Sequence, residues 1–162
     1  MKEYNSVSEP FLADVRAVVG DANVFTEPEK LEQYKTDEEY DPRRFRVPEA
    51  VVRPANAEEI AAVVKLCNKY NVPLTVRSGG TSLADGAIAV CGGIVLLMER
   101  LNKIIEMNTE AMYVVAEAGV RTVDIQKMAN EAGYLYAGDP CSAESCLIGG
   151  NLATNAGGSK AV

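Results

Sequence analysis

The sequence predicts an α+β fold, in which a small α/β part precedes a larger and mostly antiparallel part. The first observation is a strand–helix–strand unit, because apolar runs at residues 50–53 and 73–77 flank an amphipathic helix within about 30 residues. Such a unit makes its strands parallel and its crossover right-handed. The second observation is a pair of apolar runs at 103–107 and 112–118, separated by a short polar loop, which is typical of an antiparallel hairpin.

Composition and charge narrow the class of protein. The chain has 162 residues, of which 48% are apolar and 24% charged, an ordinary mixture for one domain with a core. Its net charge of −7 argues against nucleic acid or an anionic membrane surface as a partner. No run approaches the length of a membrane span, and the N-terminus lacks the features of a signal peptide. We therefore expect a cytoplasmic protein.

The N-terminal residues predict two helices and a loop. Ser8 is placed to cap a helix with Pro10 in its first turn, and the helix should end at Gly20. Its apolar residues recur at spacings of three and four and are Phe11, Leu12, Val15, Val18 and Val19. A shorter helix should begin near residues 26–29. Residues 35–47 are rich in charges of both signs and in turn formers, and we interpret them as an exposed loop.

The helix of the strand–helix–strand unit has a start signal of its own. Asn56 followed by Glu59 resembles a capping box, which satisfies the first free amides of a helix. The predicted buried stripe consists of Ile60, Val63, Val64 and Cys67.

Glycine and hydroxyl residues follow the second strand of the unit directly. Loops at the carboxyl ends of parallel strands are where α/β sheets bind ligands. Consecutive amides at Gly79 and Gly80 could form a nest for an anion, with Thr81 and Ser82 as hydroxyl donors. A simple connecting turn explains this segment equally well, because it matches neither the dinucleotide fingerprint nor a Walker loop.

The remaining elements are predicted from apolar runs and turn residues. Residues 93–98 should form a buried strand, and Thr122 should cap a helix that Gly133 ends. Residues 134–137 predict a further short strand. We expect the chain to divide into residues 1–77 and residues 78–162.

The most distinctive stretch is residues 148–158, with the sequence I-G-G-N-L-A-T-N-A-G-G. Glycine lets backbone amides approach a ligand closely, and short Asn and Thr side chains supply donors and acceptors. A mobile linker is the alternative, but apolar residues are interspersed and Ser is sparse. We therefore interpret this stretch as the lining of a narrow slot for a large, flat, polar ligand.

Cysteine and histidine usage excludes several kinds of site. The chain has four cysteines, without a C-x-x-C pair, and no histidine. A zinc or Fe–S site, a Ser-His-Asp triad and a histidine general base are therefore not expected within this chain. We interpret the cysteines as reduced and mostly buried thiols.

Three stretches in order resemble one family: R-S-G-G-T-S-L-A-D-G-A (77–87), V-V-A-E-A-G-V (114–120) and P-C-S-A-E-S-C-L-I-G-G-N-L-A-T-N-A-G-G (140–158). Together they resemble the FAD-binding domain of the PCMH-type flavoenzymes of the vanillyl-alcohol oxidase superfamily. Within it they are most similar to the group of glycolate oxidase and D-lactate dehydrogenase. The resemblance implies a PCMH-type α+β domain, with residues 1–77 and 78–162 as its first and second FAD-binding subdomains.

The resemblance also implies which residues bind FAD. The loop matching 78–82 would hold the pyrophosphate, and the segment matching 140–158 would run along the isoalloxazine, ribityl and phosphate parts. The implied cofactor-binding residues are Ser78, Gly79, Gly80, Thr81, Ser82, Gly86, Pro140, Ser142, Gly149, Gly150, Asn151, Ala153, Thr154, Asn155, Gly157 and Gly158.

One departure from the family concerns how the flavin is attached. Members that bind flavin covalently carry R-x-G-G-H, and the residue matching that histidine here is Thr81. The departure implies non-covalent FAD, with a cysteinyl link through Cys141 or Cys146 as the alternative.

The implied activity is that of an FAD-dependent dehydrogenase of D-2-hydroxy acids such as lactate or glycolate, with hydride passing from the substrate's α-carbon to flavin N5. The implied electron acceptor is an electron-transferring flavoprotein, a quinone or an Fe–S subunit. The substrate would bind a C-terminal cap domain that lies beyond this chain. The sequence thus predicts an N-terminal fragment that is inactive alone. No catalytic or metal-binding residue is assigned, because Asp85, Glu117 and Asp139 are interpreted as turn or strand residues.

Two alternatives to this activity stay open. One is an oxidase or reductase of the same superfamily with another substrate, because fold does not settle chemistry. The other is a nucleotide-binding or interaction module without catalysis.

Overall fold

A computed structural model describes residues 3–39 and 41–161 of the chain. The chain forms two compact units. The first comprises Met1–Arg77 and Ser82–Arg100, and the second comprises Ser78–Thr81 and Leu101–Val162. Residues 82–100 thus group with the first unit, whereas the sequence predicted a single division at residue 77. The fold is α+β, as predicted.

The first unit is built on a mixed sheet of four strands, β1 (Val24–Phe25), β2 (Ala50–Val52), β3 (Leu74–Arg77) and β4 (Ile94–Leu97). Its order is β1-β2-β4-β3, and both β2 and β3 pair with β4 in parallel. The predicted parallel arrangement of β2 and β3 is therefore confirmed. The expectation that the chain after residue 77 is mostly antiparallel was wrong for β4, which lies between them. All residues of β4 are buried, as in the central strand of a parallel sheet.

Two predicted amphipathic helices of this unit, α1 (Glu9–Val19) and α3 (Ala57–Tyr70), pack against each other, and α1 also contacts β1. The Asn56 side chain accepts a hydrogen bond of 2.8 Å from the Glu59 amide, so the predicted cap of α3 is confirmed. Ser8 precedes α1 but makes no side-chain cap bond. Val64 was predicted to be buried and is 38% exposed, because α3 turns only Val63 and Cys67 fully inward.

The loop at 35–47 is more structured than its charges predicted. It follows the short helix α2 (Pro28–Leu31) and contains a turn of 3₁₀-helix at Pro42–Arg44. Asp37 is only 8% exposed, and the Asp41 side chain accepts a bond from the Arg43 amide. Arg44 pairs with Asp85, which connects this largely exposed segment to the part of the same unit around residue 85.

The second unit contains the antiparallel hairpin β5 (Ile104–Asn108) and β6 (Tyr113–Ala116), and the helices α4 (Thr122–Glu131) and α5 (Ile148–Ala153). Its core is formed by Val120, Ile125 and Ile148. The predicted hairpin is confirmed.

Three local predictions in the second unit were wrong. Thr122 is not the cap of α4, because Arg121 holds that position and Thr122 is fully buried inside the first turn. Residues 134–137 form no strand in the described structure, and Leu135 is 66% exposed. Residues 148–153, predicted as slot-lining loop, form helix α5.

Within the described residues, we find no helix whose length and apolar character would let it cross a membrane.

Candidate functional site

The loop 78–81 leaves its backbone donors free. It follows the carboxyl end of β3, and Gly80 takes a positive φ of 70°. In the part of the chain that the structure describes, the amides of residues 79–81 donate no hydrogen bond to a protein acceptor. Free amides in a glycine-containing turn are the groups that bind anionic oxygens. These amides are therefore available to a ligand.

The two glycine-rich segments predicted from the sequence are in direct contact. A Cβ on Gly79 would lie 2.8 Å from the carbonyl oxygen of Ser145 and 3.1 Å from the Cα of Cys146. A Cβ on Gly150 would lie 3.2 Å from the Cβ of Ser78. Glycine is therefore needed at position 79 for the loop to pack against the backbone at 145–147, and a side chain at position 150 would contact Ser78 tightly.

The first amides of α5, in contrast, are already used by the protein. Ile148 donates to the carbonyl of Val120 at 2.8 Å, and Gly149 donates to the carbonyl of Ala118 at 2.9 Å. A Cβ on Gly149 would lie 2.8 Å from the Ala118 side chain. At Gly149, glycine lets α5 pack against Ala118, and the amide of this residue is bonded within the protein.

Asn151 lies in a buried polar cluster with Thr122 and Cys146. Its Nδ2 donates to the Thr122 hydroxyl at 2.6 Å, and that hydroxyl lies 3.1 Å from the Cys146 Sγ. Asn151 is 9% exposed, Cys146 1% and Thr122 0%. The Asn151 amide group thus points into the protein. A buried hydrogen bond between an asparagine and a threonine 29 residues apart could have been predicted only with knowledge of which elements meet.

The chain after Asn151 is more exposed. Ala153, Thr154 and Asn155 are exposed, and Asn155 takes a φ of 52°. The Thr154 hydroxyl donates to the carbonyl of Gly150 at 3.0 Å. These small residues form the accessible part of the predicted segment.

Both ends of the 140–158 segment are fixed by backbone contacts. The Asp139 amide donates to the carbonyl of Gly157 at 2.8 Å. Gly158 has a φ of 105°, and a Cβ there would lie 1.9 Å from the Asp139 carbonyl oxygen. The carbonyl of Pro140 accepts from the Ala143 amide, and that of Ser142 accepts from Cys146 at 2.8 Å. Pro140 and Ser142 are half-buried in this turn.

A charged side chain reinforces this closure. A hydrogen bond from Lys160 lowers the pKa of the Asp139 carboxyl, and Gln126 and Ser159 act in the same direction. The Asp139 carboxylate is thus engaged by Lys160, Gln126 and Ser159. No group of three or more candidate metal ligands occurs among the residues described.

Ser82 and Gly86 belong to the first unit. The Ser82 Oγ accepts a bond of 3.1 Å from the Ala84 amide, and Gly86 is exposed. In the same unit, Arg77 Nη1 donates to the carbonyl of Thr36 at 2.7 Å. Burial lowers the pKa of the Arg77 guanidinium.

An apolar cavity of about 340 Å³ in the second unit was not predicted from the sequence. It is lined mainly by the hairpin and by helices α4 and α5. Principal lining residues are Met107, Tyr113, Ile125, Tyr136, Ile148 and Leu152. Burial raises the pKa of the Tyr136 phenol. Periodicity alone does not distinguish a face that is packed from one that also borders a cavity.

The comparisons with known proteins point to one family. The family described as "FAD binding domain" matches residues 48–162. D-lactate dehydrogenase of Anaerostipes hadrus is 40% identical over 115 residues, which is 71% of this chain and 24% of that protein. Glycolate oxidase subunit GlcD of Bacillus subtilis (strain 168) is 35% identical over 117 residues, 72% of this chain and 25% of the relative.

A further relative and a solved structure extend the match to most of the chain. D-2-hydroxyglutarate dehydrogenase of Xanthomonas citri pv. viticola is 35% identical over 156 residues, 96% of this chain and 33% of that protein. The structure of an alkyldihydroxyacetonephosphate synthase superposes with a TM-score of 0.82 at 21% identity, over 96% of this chain and 33% of that one. The chain thus spans between a quarter and a third of these relatives.

The residues of this chain are suited to bind FAD. The free amides of residues 79–81 are suitable donors for phosphate oxygens, and small residues at 153–155 leave the neighbouring surface accessible. The match to the family covers most of the chain, and the superposed synthase agrees with it in fold. The chain belongs to the PCMH-type FAD-binding domain family, and its cofactor is FAD.

Proposed function

We propose that this chain is the FAD-binding portion of a dehydrogenase of small D-2-hydroxy acids, of the lactate or glycolate type. The relatives named as D-lactate dehydrogenase, glycolate oxidase and D-2-hydroxyglutarate dehydrogenase support this substrate class. When bound, FAD supplies the acceptor at flavin N5 for a hydride from the substrate's α-carbon. The proposed electron acceptors remain an electron-transferring flavoprotein, a quinone or an Fe–S subunit.

The observation that carries the FAD-binding part of the proposal is the set of free amides at residues 79–81. In this proposal Gly79, Gly80 and Thr81 donate to the pyrophosphate, and Ser78 supports the loop against α5. The accessible residues 153–155 and the glycines 157–158 would lie along the remainder of the cofactor. Gly149, Gly150 and Asn151 act by packing and not by donating to FAD. The roles of Ser82, Gly86, Pro140 and Ser142 are predictions from the family resemblance.

We further propose that FAD is held without a covalent bond. Thr81 offers no imidazole for a flavin link, and Cys146 is buried against the Thr122 hydroxyl. Cys141 is exposed and is the remaining candidate for a cysteinyl link. Acid precipitation of the flavin-loaded protein should leave the yellow colour in the supernatant, and colour in the pellet would contradict non-covalent binding.

The substrate class is tested by anaerobic reduction of the flavin in the full natural chain. We expect D-lactate, glycolate or D-2-hydroxyglutarate to bleach the blue absorption band, with L-lactate as the matched stereochemical control. A phenol belongs in the same series, because the solved 4-ethylphenol oxidase from Gulosibacter chungangensis superposes at a TM-score of 0.75 and 26% identity, over 93% of this chain and 30% of that one. Bleaching by the phenol alone would replace the hydroxy-acid proposal with an oxidase of another substrate.

A further inference from the structure

Thr122 is the meeting point of three segments of the second unit. It is the first residue of α4 and is fully buried. Its hydroxyl accepts a hydrogen bond of 2.6 Å from Asn151 on α5 and lies 3.1 Å from the Cys146 Sγ. Its amide donates to the carbonyl of Cys146 at 3.2 Å. Thr122 therefore connects α4 both to α5 and to the turn at 145–147.

The chemistry of this cluster requires the hydroxyl group. A hydroxyl has one proton to donate and lone pairs to accept, so Thr122 can accept from the Asn151 amide and still donate to the Cys146 sulfur. Valine has nearly the same shape as threonine but can do neither. A valine there would leave the buried Asn151 Nδ2 without an acceptor, and an unsatisfied buried donor is costly.

The two segments that Thr122 connects are also the two on which the loop 78–81 rests. Gly79 packs on the backbone of Ser145 and Cys146, and Gly150 of α5 faces Ser78. A shift of α5 relative to the 145–147 turn would therefore move the surface beneath the free amides. It would also move the small residues at 153–155, which follow Asn151 directly.

We propose that Thr122 is a positioning residue for FAD binding, acting through Asn151 and Cys146 without touching the cofactor. This inference rests on the proposed function, because it takes residues 79–81 and 153–155 as the surface that receives FAD. Its rival is a purely structural role, in which the cluster contributes to stability alone.

Paired substitutions separate the two roles. T122V removes the hydroxyl at constant shape, and T122S keeps the hydroxyl while removing a methyl group. Y70F is the control in the first unit, because it removes a hydroxyl that donates to Asp14 at 2.8 Å and accepts from Lys69 at 3.4 Å. FAD dissociation constants of the full natural chain are measured by flavin fluorescence, and melting temperatures are measured without FAD.

We expect T122V to raise the FAD dissociation constant about tenfold, or about 1.4 kcal/mol, because α5 and the 145–147 turn would shift beneath the free amides of residues 79–81. T122S should stay within about threefold of the wild type because its hydroxyl still accepts from Asn151. Y70F should lower the melting temperature and leave FAD affinity unchanged. Hydrogen exchange at residues 148–153 should accelerate in T122V and not in T122S or Y70F.

The outcomes distinguish this inference from the proposed function. If the wild type binds FAD and T122V binds it equally well, Thr122 is not a positioning residue and the proposed function stands. Equal weakening in T122S and T122V also overturns the inference, because the hydroxyl would then be irrelevant. If the wild-type chain does not bind FAD, both the role of Thr122 and the proposed function are overturned. If T122V does not fold, Asn151→Ala breaks the same hydrogen bond from its other end and should give the same loss of affinity.

Discussion

The loop 78–81 and the segment 148–158 are both rich in glycine, yet the structure shows that glycine is required for different reasons in each. In the segment, Gly149 and Gly158 are needed because two stretches of backbone approach too closely for a side chain. The first amides of α5 are bonded within the protein. In the loop, Gly79 also packs on backbone, but the amides of residues 79–81 have no acceptor in the described structure. Glycine-rich composition therefore predicts close approach, and only the hydrogen bonds show whether a ligand or the protein itself is approached.

The largest effect expected from this comparison is on stability at Gly158. An alanine there would place its Cβ 1.9 Å from the Asp139 carbonyl oxygen at a φ of 105°. We expect G158A to lower the free energy of unfolding by about 3 kcal/mol or more, because backbone must move. Gly133 is the control, since it has a φ of 81° with no atom within 4 Å of its Cβ position. G133A should cost only about 1 kcal/mol of backbone strain. Equal losses in chemical denaturation would show that φ alone, and not the contact with Asp139, requires glycine.

A smaller effect is expected at Gly149, whose φ is ordinary. Its added Cβ would lie 2.8 Å from both the side chain and the carbonyl oxygen of Ala118. We expect G149A to lower the free energy of unfolding by about 2 kcal/mol, the usual cost of overpacking. G86A adds a Cβ in ordinary contact, 3.7 Å from the Ser82 Oγ, and should change stability by about 0.5 kcal/mol or less. If the two variants were equally stable, the packing of α5 on Ala118 would not be the reason for this glycine.

The comparison also bears on what the sequence could predict. Helices α1 and α3 and the β5–β6 hairpin followed from periodicity, caps and a turn, which are local signals. Helix α5 could not be predicted, because adjacent glycines disfavour a helix and its stability comes from distant groups. Ile148 bonds to Val120, and Asn151 bonds to Thr122, neither of which is near in sequence.

The same limit applies to the sheet and to the site. An apolar run predicted β4 as a buried strand but not its position between β2 and β3. All four of its residues are buried, and this uniform pattern does not indicate which strands pair with it. The resemblance to a flavoprotein family identified both glycine-rich segments and led to FAD. It could not separate residues with free donors from residues whose polar groups are used inside the fold, such as Asn151.

The smallest effect concerns the reactivity of the thiols. It tests, without any substitution, whether the 145–147 turn stays closed around Cys146. Cys141 and Cys91 are exposed, whereas Cys146 and Cys67 are buried, so only half of the expectation of buried thiols holds. Burial raises the pKa of the Cys67 thiol to about 11, which leaves it protonated at pH 8. We expect two thiols to react quickly with a disulfide reagent at pH 8 and two only after unfolding. Rapid reaction of Cys146 would mean that the 145–147 turn opens readily and does not support the loop above it.

The central claim is that the amides of residues 79–81 receive the phosphates of FAD, whereas the first amides of α5 do not. Amide hydrogen exchange of the full natural chain with and without FAD tests it most directly. Without FAD, residues 79–81 should exchange quickly and residues 148–151 slowly, because only the latter are bonded within the protein. Saturation with FAD should slow exchange at 79–81 strongly, with little change at 148–151. Unchanged exchange at 79–81 in FAD-saturated protein would contradict the account.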